Sequence, residues 1–431
     1  MSTVVSPTGT RPPVGPYTLP DVAPRRPSHL ATATSRIGSI DIIRGAVMVL
    51  MAIDHVRVFS GVPAGGPTPG VFFTRWVTHF CAPVFIFLAG TSAYLYAETV
   101  RDRGALARFL LTRGAWLVLL ELTVLRFAWT FNFDYAHYAL AGVIWVIGWC
   151  MILMAALVYL PVTAIGAIGV AIIALHNVTD LFRPEIVRAA STSSLSWLWQ
   201  VLYFGGDIAL SARGADGPQL AVLYSIIPWI GVMAAGYAFG RVMRLDPARR
   251  RQVCIALGIG AIATFLVLRG FNLYGDPRPW GDAARTVATR RVPAPPAFLQ
   301  FLATNKYPAS LLFLLMTLGP MILLIPLLER ARGPVARVLT VFGRVPFFYY
   351  VLHIPLIHLI FVALSIARYG EVIPWMTTNH PMFVPPPPPG YTYSLTALYA
   401  ITLLVVTILY FPCRWFAGLK ARRSERWLTY L

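Results

Sequence analysis

Ten long apolar stretches dominate the chain, at about 40–59, 71–97, 111–131, 139–160, 162–177, 220–240, 252–271, 308–328, 338–366 and 392–416. A helix crosses the hydrocarbon of a bilayer in roughly 20 residues at about 1.5 Å of rise each. Lipid offers no partner to backbone amides, so repeated runs of this kind leave few folds open. The sequence predicts an all-α, polytopic membrane helix bundle of about ten transmembrane helices.

Composition agrees, with 57% of residues hydrophobic and 12% charged. Soluble domains run at about 45–50% apolar and about 25% charged. Lys+Arg total 36 against 17 Asp+Glu, a net charge of +19. In a soluble chain that excess would suggest nucleic acid; here it sits in short loops between apolar runs, which the positive-inside rule explains. The basic loops carry Arg101, Arg103, Arg108 and Arg113; Arg241, Arg244, Arg249, Arg250 and Arg251; Arg330, Arg332 and Arg337; and Arg414, Lys420, Arg422, Arg423 and Arg426. Together with Arg25, Arg26 and Arg36 they place both termini in the cytoplasm. The loops 60–70, 132–138, 178–219, 272–307 and 367–391 then face outward. Lysine occurs only at Lys306 and Lys420, an arginine bias typical of a GC-rich bacterium and so of a bacterial inner membrane.

Residues 1–34 are rich in Pro, Thr, Ser and Arg and lack the apolar core of a signal peptide, so they read as a disordered cytoplasmic tail. Residues 35–418 form the membrane domain, and 419–431 a basic cytoplasmic tail. Cys81, Cys150, Cys254 and Cys413 are far apart, with neither disulfide-like nor metal-ligand spacing, so neither a disulfide nor a metal is expected. Three outer segments exceed plain linkers: aromatic "SSLSWLWQVLYFGG" at 193–206, the segment 272–307, and "HPMFVPPPPPGY" at 380–391, whose proline run favours an extended chain.

Ionisable groups inside apolar runs are costly and mark functional candidates. The first run holds Asp41, Arg44, Asp54, His55 and Arg57. Arg44 and His55 lie three turns apart on one helix face, roughly 16 Å along the axis. His79 in the second run falls at the depth of His55. Glu121 and Arg126, five apart in the third run, favour structural pairing with other helices. His353 and His358 follow Arg344 in a run disturbed by Pro346 and Pro355, and His353 is the better cavity candidate. Asn305 and Lys306 stand at the mouth of the eighth run, where the lysine could bind an anion, polarise a carbonyl or snorkel to the interface.

"SRIGSIDIIRGAVMVLMAIDHVR" followed by "THFCAPVFIFLAGTSAYL" resembles bacterial membrane proteins related to the catalytic domain of heparan-alpha-glucosaminide N-acetyltransferase, part of a wider group of transmembrane acyltransferases. "IWVIGWCMILMAALVYLP", "LYSIIPWIGVMAAGYAFG" and "FGRVPFFYYVLHIPLIH" extend the likeness over most of 36–366. The resemblance implies transfer of an acyl group, acetyl above all, from cytoplasmic acetyl-CoA to a sugar-like acceptor outside. It implies a histidine general base. Arg44 and His55 match the Arg–ten residues–His spacing of the wider group. The lysosomal relative has asparagine at the position of His55 and its histidine in the loop that follows; residues 60–70 here contain none. Either His55 takes the role of base, or His79 does, or the chain does not do the same chemistry; Asp54 would orient an imidazole or serve another group. Arg44 and Arg344 would hold the CoA phosphates, and Asn305, Lys306 and His353 the substrate. The implied partners are the bilayer, acyl-CoA and the acceptor; nucleic acid is excluded and a homodimer left open. The competing functions are a transporter or flippase, whose paths also use buried His and Arg, and an assembly subunit without chemistry.

Overall fold

The computed structural model describes residues 37–65, 68–191, 193–211, 217–281, 296–379 and 386–423, and the single positions 1, 214, 425 and 428, with the side chains of 190 and 191 excepted. Beyond Met1, the tail expected over 1–34 lies outside the described residues, as does the first half of 380–391. The chain is an all-α polytopic bundle. Among the described residues, seven helices are long and apolar enough to cross a membrane.

In chain order the elements are α1 (Gly38–Phe59), α2 (Pro69–Trp76) running through a 3-10 turn into α3 (Cys81–Val100), and α4 (Arg103–Leu120) running through a π-helical turn (Glu121–Leu125) into α5 (Arg126–Thr130). Then come β1 (Tyr138–Ala141), α6 (Val143–Leu157), α7 (Val162–Leu175) and the short α8 (Val178–Leu181), α9 (Arg183–Ser191) and α10 (Ser196–Trp199). Strands β2 (Gly206–Ala209) and β3 (Gln219–Val222) precede α11 (Ile226–Met243) and α12 (Pro247–Gly270). Last are α13 (Ala297–Leu302), α14 (Leu311–Leu328), α15 (Pro334–Arg344), α16 (Pro346–Tyr369) and α17 (Leu395–Arg422).

Side-chain caps start several of these helices, each satisfying an otherwise orphaned amide. The Asp102 carboxylate accepts from Gly104 N at 2.8 Å, Ser310 Oγ from Phe313 N at 3.1 Å, and Ser394 Oγ from Ala397 N at 3.2 Å. Helix α1 has Asp41 in its first turn and Arg57 in its last, the order that suits the helix dipole.

Small residues bring the helices together. A Cβ at Gly45 would meet the Leu339 carbonyl oxygen at 1.8 Å, and one at Gly343 the Asp41 carbonyl oxygen at 1.7 Å. Helices α1 and α15 therefore cross backbone to backbone, as small residues permit in membranes. On α3, Thr91 Oγ1 donates to the Gly236 carbonyl of α11 at 2.9 Å.

The loops segregate to two ends. At one end Tyr391 Oη donates to the Phe59 carbonyl (2.6 Å), Asn132 Nδ2 to the Thr377 carbonyl (2.6 Å), and Leu311 N to Asn177 Oδ1 (2.7 Å). A three-stranded sheet in the order β1-β3-β2, parallel then antiparallel, ties 138–141 to 206–222 there. At the other end Arg103 donates to the Tyr159 carbonyl (2.5 Å), Arg250 pairs with Glu329 (2.6 Å), and Gly38 and Arg414 line one cavity. This is the division into basic and dilute loops that the sequence predicts.

Several boundaries move. The ninth run is two helices rather than one span, because Pro346 excludes its predecessor from the helical region; Val345 sits at φ −134° and ψ 48°. Runs four and six begin as strands β1 and β3, paired with one another. Helix α17 continues through Arg422. The least charged membrane-spanning stretch of α1 or of α4 holds more charge than that of any of the other seven, and α6 is short, at 15 residues.

Candidate functional site

The last turn of α1 presents His55 to α16. His55 Nδ1 lies 2.6 Å from His353 Nε2, the rings stacked at 4.8 Å between centroids. His353 is fully buried, and its Nδ1 lies 2.6 Å from the Tyr350 carbonyl oxygen. A carbonyl oxygen only accepts, so His353 Nδ1 carries the hydrogen and its Nε2 the lone pair. For a neutral pair, His55 Nδ1–H then donates to that lone pair. The remaining nitrogen, His55 Nε2, is left bare, and no hydrogen bond from a described residue reaches it. Trp129 stands edge-on to the ring at 4.7 Å and fixes its plane.

His55 opens on a cavity of about 180 Å³ whose polar lining is Asp54, Arg57, Arg75, Glu121, Tyr224, Tyr307 and Tyr350. Asp54 does not touch an imidazole. Its Oδ1 takes Arg57 Nε at 3.1 Å and its Oδ2 takes Arg75 NH1 at 2.7 Å, so a carboxylate from α1 is clamped between two guanidiniums. Adjacent helical side chains diverge by about 100°, which sends Asp54 away from the ring of His55.

Lys306 is buried, its Nζ over the rings of Tyr307 (5.2 Å) and Tyr224 (5.8 Å). That replaces the snorkelling alternative: the ammonium turns inward to two aromatic faces. Burial raises the Tyr307 hydroxyl, but Lys306 and Arg75 outweigh it and hold the group below the ordinary tyrosine value. Asn305 donates from Nδ2 to the Pro308 carbonyl (3.0 Å) and shapes the turn before α14; it does not line the cavity.

His79 lies on the 3-10 turn between α2 and α3, edge-on to Phe313 at 5.4 Å, with its Nδ1 buried and without a partner among the described residues. It too is outside the lining of the cavity. Arg44 points to α3, hydrogen-bonded to the Leu88 carbonyl (3.2 Å) and to Ser92 Oγ, with Asp41 at 3.9 Å. The side of α1 that meets α16 at His55 thus meets α3 at Arg44. Arg344 is exposed and lines a second cavity, of about 810 Å³, with Arg332, Arg337 and Arg414 at the basic end of the bundle. His358 is buried with both nitrogens at carbonyl oxygens, Ala128 at 3.1 Å and Met376 at 2.8 Å, a structural placement.

Arg75, Tyr224, Tyr307, Tyr350 and Trp129 are site residues that sequence reasoning missed, and Arg57 was named there without a role. Arg75 and Tyr307 sit at helix mouths, where charge and aromatics are ordinary and carry no signal. Arg57 had one, lying three residues after Asp54. Glu121, for which the sequence favours structural pairing, reaches this cavity. Arg126 is structural: fully buried, it binds the Tyr138 carbonyl (3.0 Å), Thr130 (3.0 Å) and the Asp134 carbonyl (2.8 Å). Thr130 lies on its own helix and the two carbonyls just beyond it, while the distant Asn379 Oδ1 is reached at 3.4 Å.

Fold and site define a multi-pass helical membrane protein with a hydrogen-bonded histidine pair over a charged cavity. Residues 36–272, more than half of the chain, match the family described as heparan-alpha-glucosaminide N-acetyltransferase, catalytic. The chain belongs to that family, and a membrane acetyltransferase is the general class of function it supports. No individual curated protein matches the chain.

Proposed function

We propose that the protein transfers an acetyl group from cytoplasmic acetyl-CoA to a hydroxyl or amine of a sugar-like acceptor on the opposite side of a bacterial inner membrane, with His55 as general base. The hydrogen-bonded pair His55–His353 carries this reading, because it leaves His55 Nε2 bare on a cavity. His353 acts through His55: it fixes the tautomer as a base-orienter does, and touches no substrate.

His55 Nε2 takes the proton of the acceptor as its nitrogen or oxygen attacks the thioester carbonyl carbon. Charge gathers on the carbonyl oxygen, and Tyr307 is the donor suited to meet it. With Lys306 and Arg75 behind it, its hydroxyl is a stronger acid than an ordinary tyrosine. The C–S bond then breaks and the imidazolium returns its proton to the CoA sulfur. The four arginines of the basic cavity suit the phosphates of the donor. The pantetheine arm would run from there along α1, past Arg44, to His55. Positive charge at that end makes it the cytoplasmic one.

The test is incorporation of labelled acetyl from acetyl-CoA into glucosamine by membrane vesicles holding the full chain. Transfer that depends on the chain supports the reading. Absence of both transfer and acetyl-CoA binding contradicts it.

A further inference from the structure

Glu121 is 1% exposed and begins the π-helical turn between α4 and α5. Such turns add a residue to a helix and re-aim the side chains beside them, often at functional sites. Here the turn brings a carboxyl to the cavity of His55 from a helix otherwise packed on α6. Its Oε1 lies against the first residues of α6, where the Gly142 and Ile144 amides bond to the carboxyl. A helix N-terminus explains that oxygen. It leaves the other unexplained: Oε2 is buried and has no hydrogen-bond partner among the described residues. An unmet buried carboxyl oxygen is costly, and in a native fold it calls for a hydrogen-bond partner.

We infer that Glu121 is a second acceptor-binding group of this site: Oε2 hydrogen-bonds a hydroxyl that the acceptor carries beside its nucleophilic group. A hydroxyl both donates and accepts, so it pairs with the carboxyl whether that group is ionised or protonated. The acceptor class is then a vicinal amino alcohol or diol on a small ring, held at two points. His55 Nε2 takes the reacting N–H or O–H, and Glu121 the neighbouring hydroxyl. Two-point holding fixes the nucleophile for attack, which a single contact to His55 does not. The inference rests on the acyl-transfer reading above. Glu121 touches no reacting atom; it orients the acceptor.

A matched pair of probes separates the two ideas. Trans-2-aminocyclohexanol carries the neighbouring hydroxyl, and cyclohexylamine lacks it. With labelled acetyl-CoA and the full chain in vesicles, wild type should acetylate the amino alcohol with a kcat/KM at least ten-fold higher. Glu121→Met fills the space without a polar atom and should erase that preference, leaving KM for acetyl-CoA within two-fold. Gly142→Ala keeps the carboxyl but displaces it, since the new Cβ would meet Glu121 Oε1 at 2.2 Å. It should erase the preference too, and it decides the matter if Glu121→Met does not fold. An acetylating wild type without the preference, or a variant that retains it, overturns the role of Glu121 and leaves acyl transfer standing. A wild type that acetylates neither probe nor glucosamine overturns both.

Discussion

At the scale of single residues, the site rests on which atom each polar side chain meets. Asp54 neutralises two guanidiniums at once, and its substitution strands both. Asp54→Asn should lower stability by about 3–5 kcal/mol, the usual cost of leaving a buried charge uncompensated. A drop in the thermal midpoint of the purified protein checks this; an unchanged midpoint would show that the clamp is inessential. Tyr307→Phe removes only the hydroxyl. If that hydroxyl faces the developing oxyanion, kcat should fall by about 10²–10³, the usual cost of losing one such donor. KM for acetyl-CoA should stay near the wild-type value, and steady-state kinetics separates the two. The arginine, aspartate and histidine of α1 were legible in the sequence because apolar surroundings make a charge conspicuous. Which partner each chooses was not. Asp54 lies next to His55 in the chain and beside Arg75 in space, and a single sequence holds no record of that approach from α2.

At the scale of elements, hydropathy revealed where helices lie but not how they are interrupted. Strands β1 and β3 pair Tyr138 with Gln219 across the chain, and both are largely apolar and run straight on toward the helices α6 and α11. Apolar content alone cannot tell the two apart. The break at Val345 was foreshadowed by Pro346; the π turn at Glu121 had no such marker. The closest crossing, of α1 on α15, leaves no room for a side chain at Gly45. Gly45→Val should therefore force the two helices apart and destabilise the protein by about 1–3 kcal/mol or more, the range for overpacking. Gly38→Val, on the same helix with nothing within 4 Å, should not. Comparing their unfolding temperatures tests the crossing, and equal behaviour would refute it.

At the scale of the whole molecule, two cavities lie at opposite ends of α1. The basic cavity should supply affinity for acetyl-CoA and the histidine cavity the chemistry. Replacing Arg337 and Arg414 together by glutamine should weaken acetyl-CoA binding several-fold and flatten its dependence on salt. Ionic attraction at exposed sites is screened within about 10 Å at 0.1 M salt. Isothermal titration at two salt concentrations reads both effects, and unchanged affinity would place the donor elsewhere. The central claim is that His55, not His79, takes the proton. It is tested most directly by acetyl transfer to glucosamine in vesicles holding His55→Ala or His79→Ala. His55→Ala should lose about 10²–10⁴ in kcat, the usual contribution of a general base, with His79→Ala within several-fold of wild type. Full activity in His55→Ala, or its loss in His79→Ala alone, would contradict it.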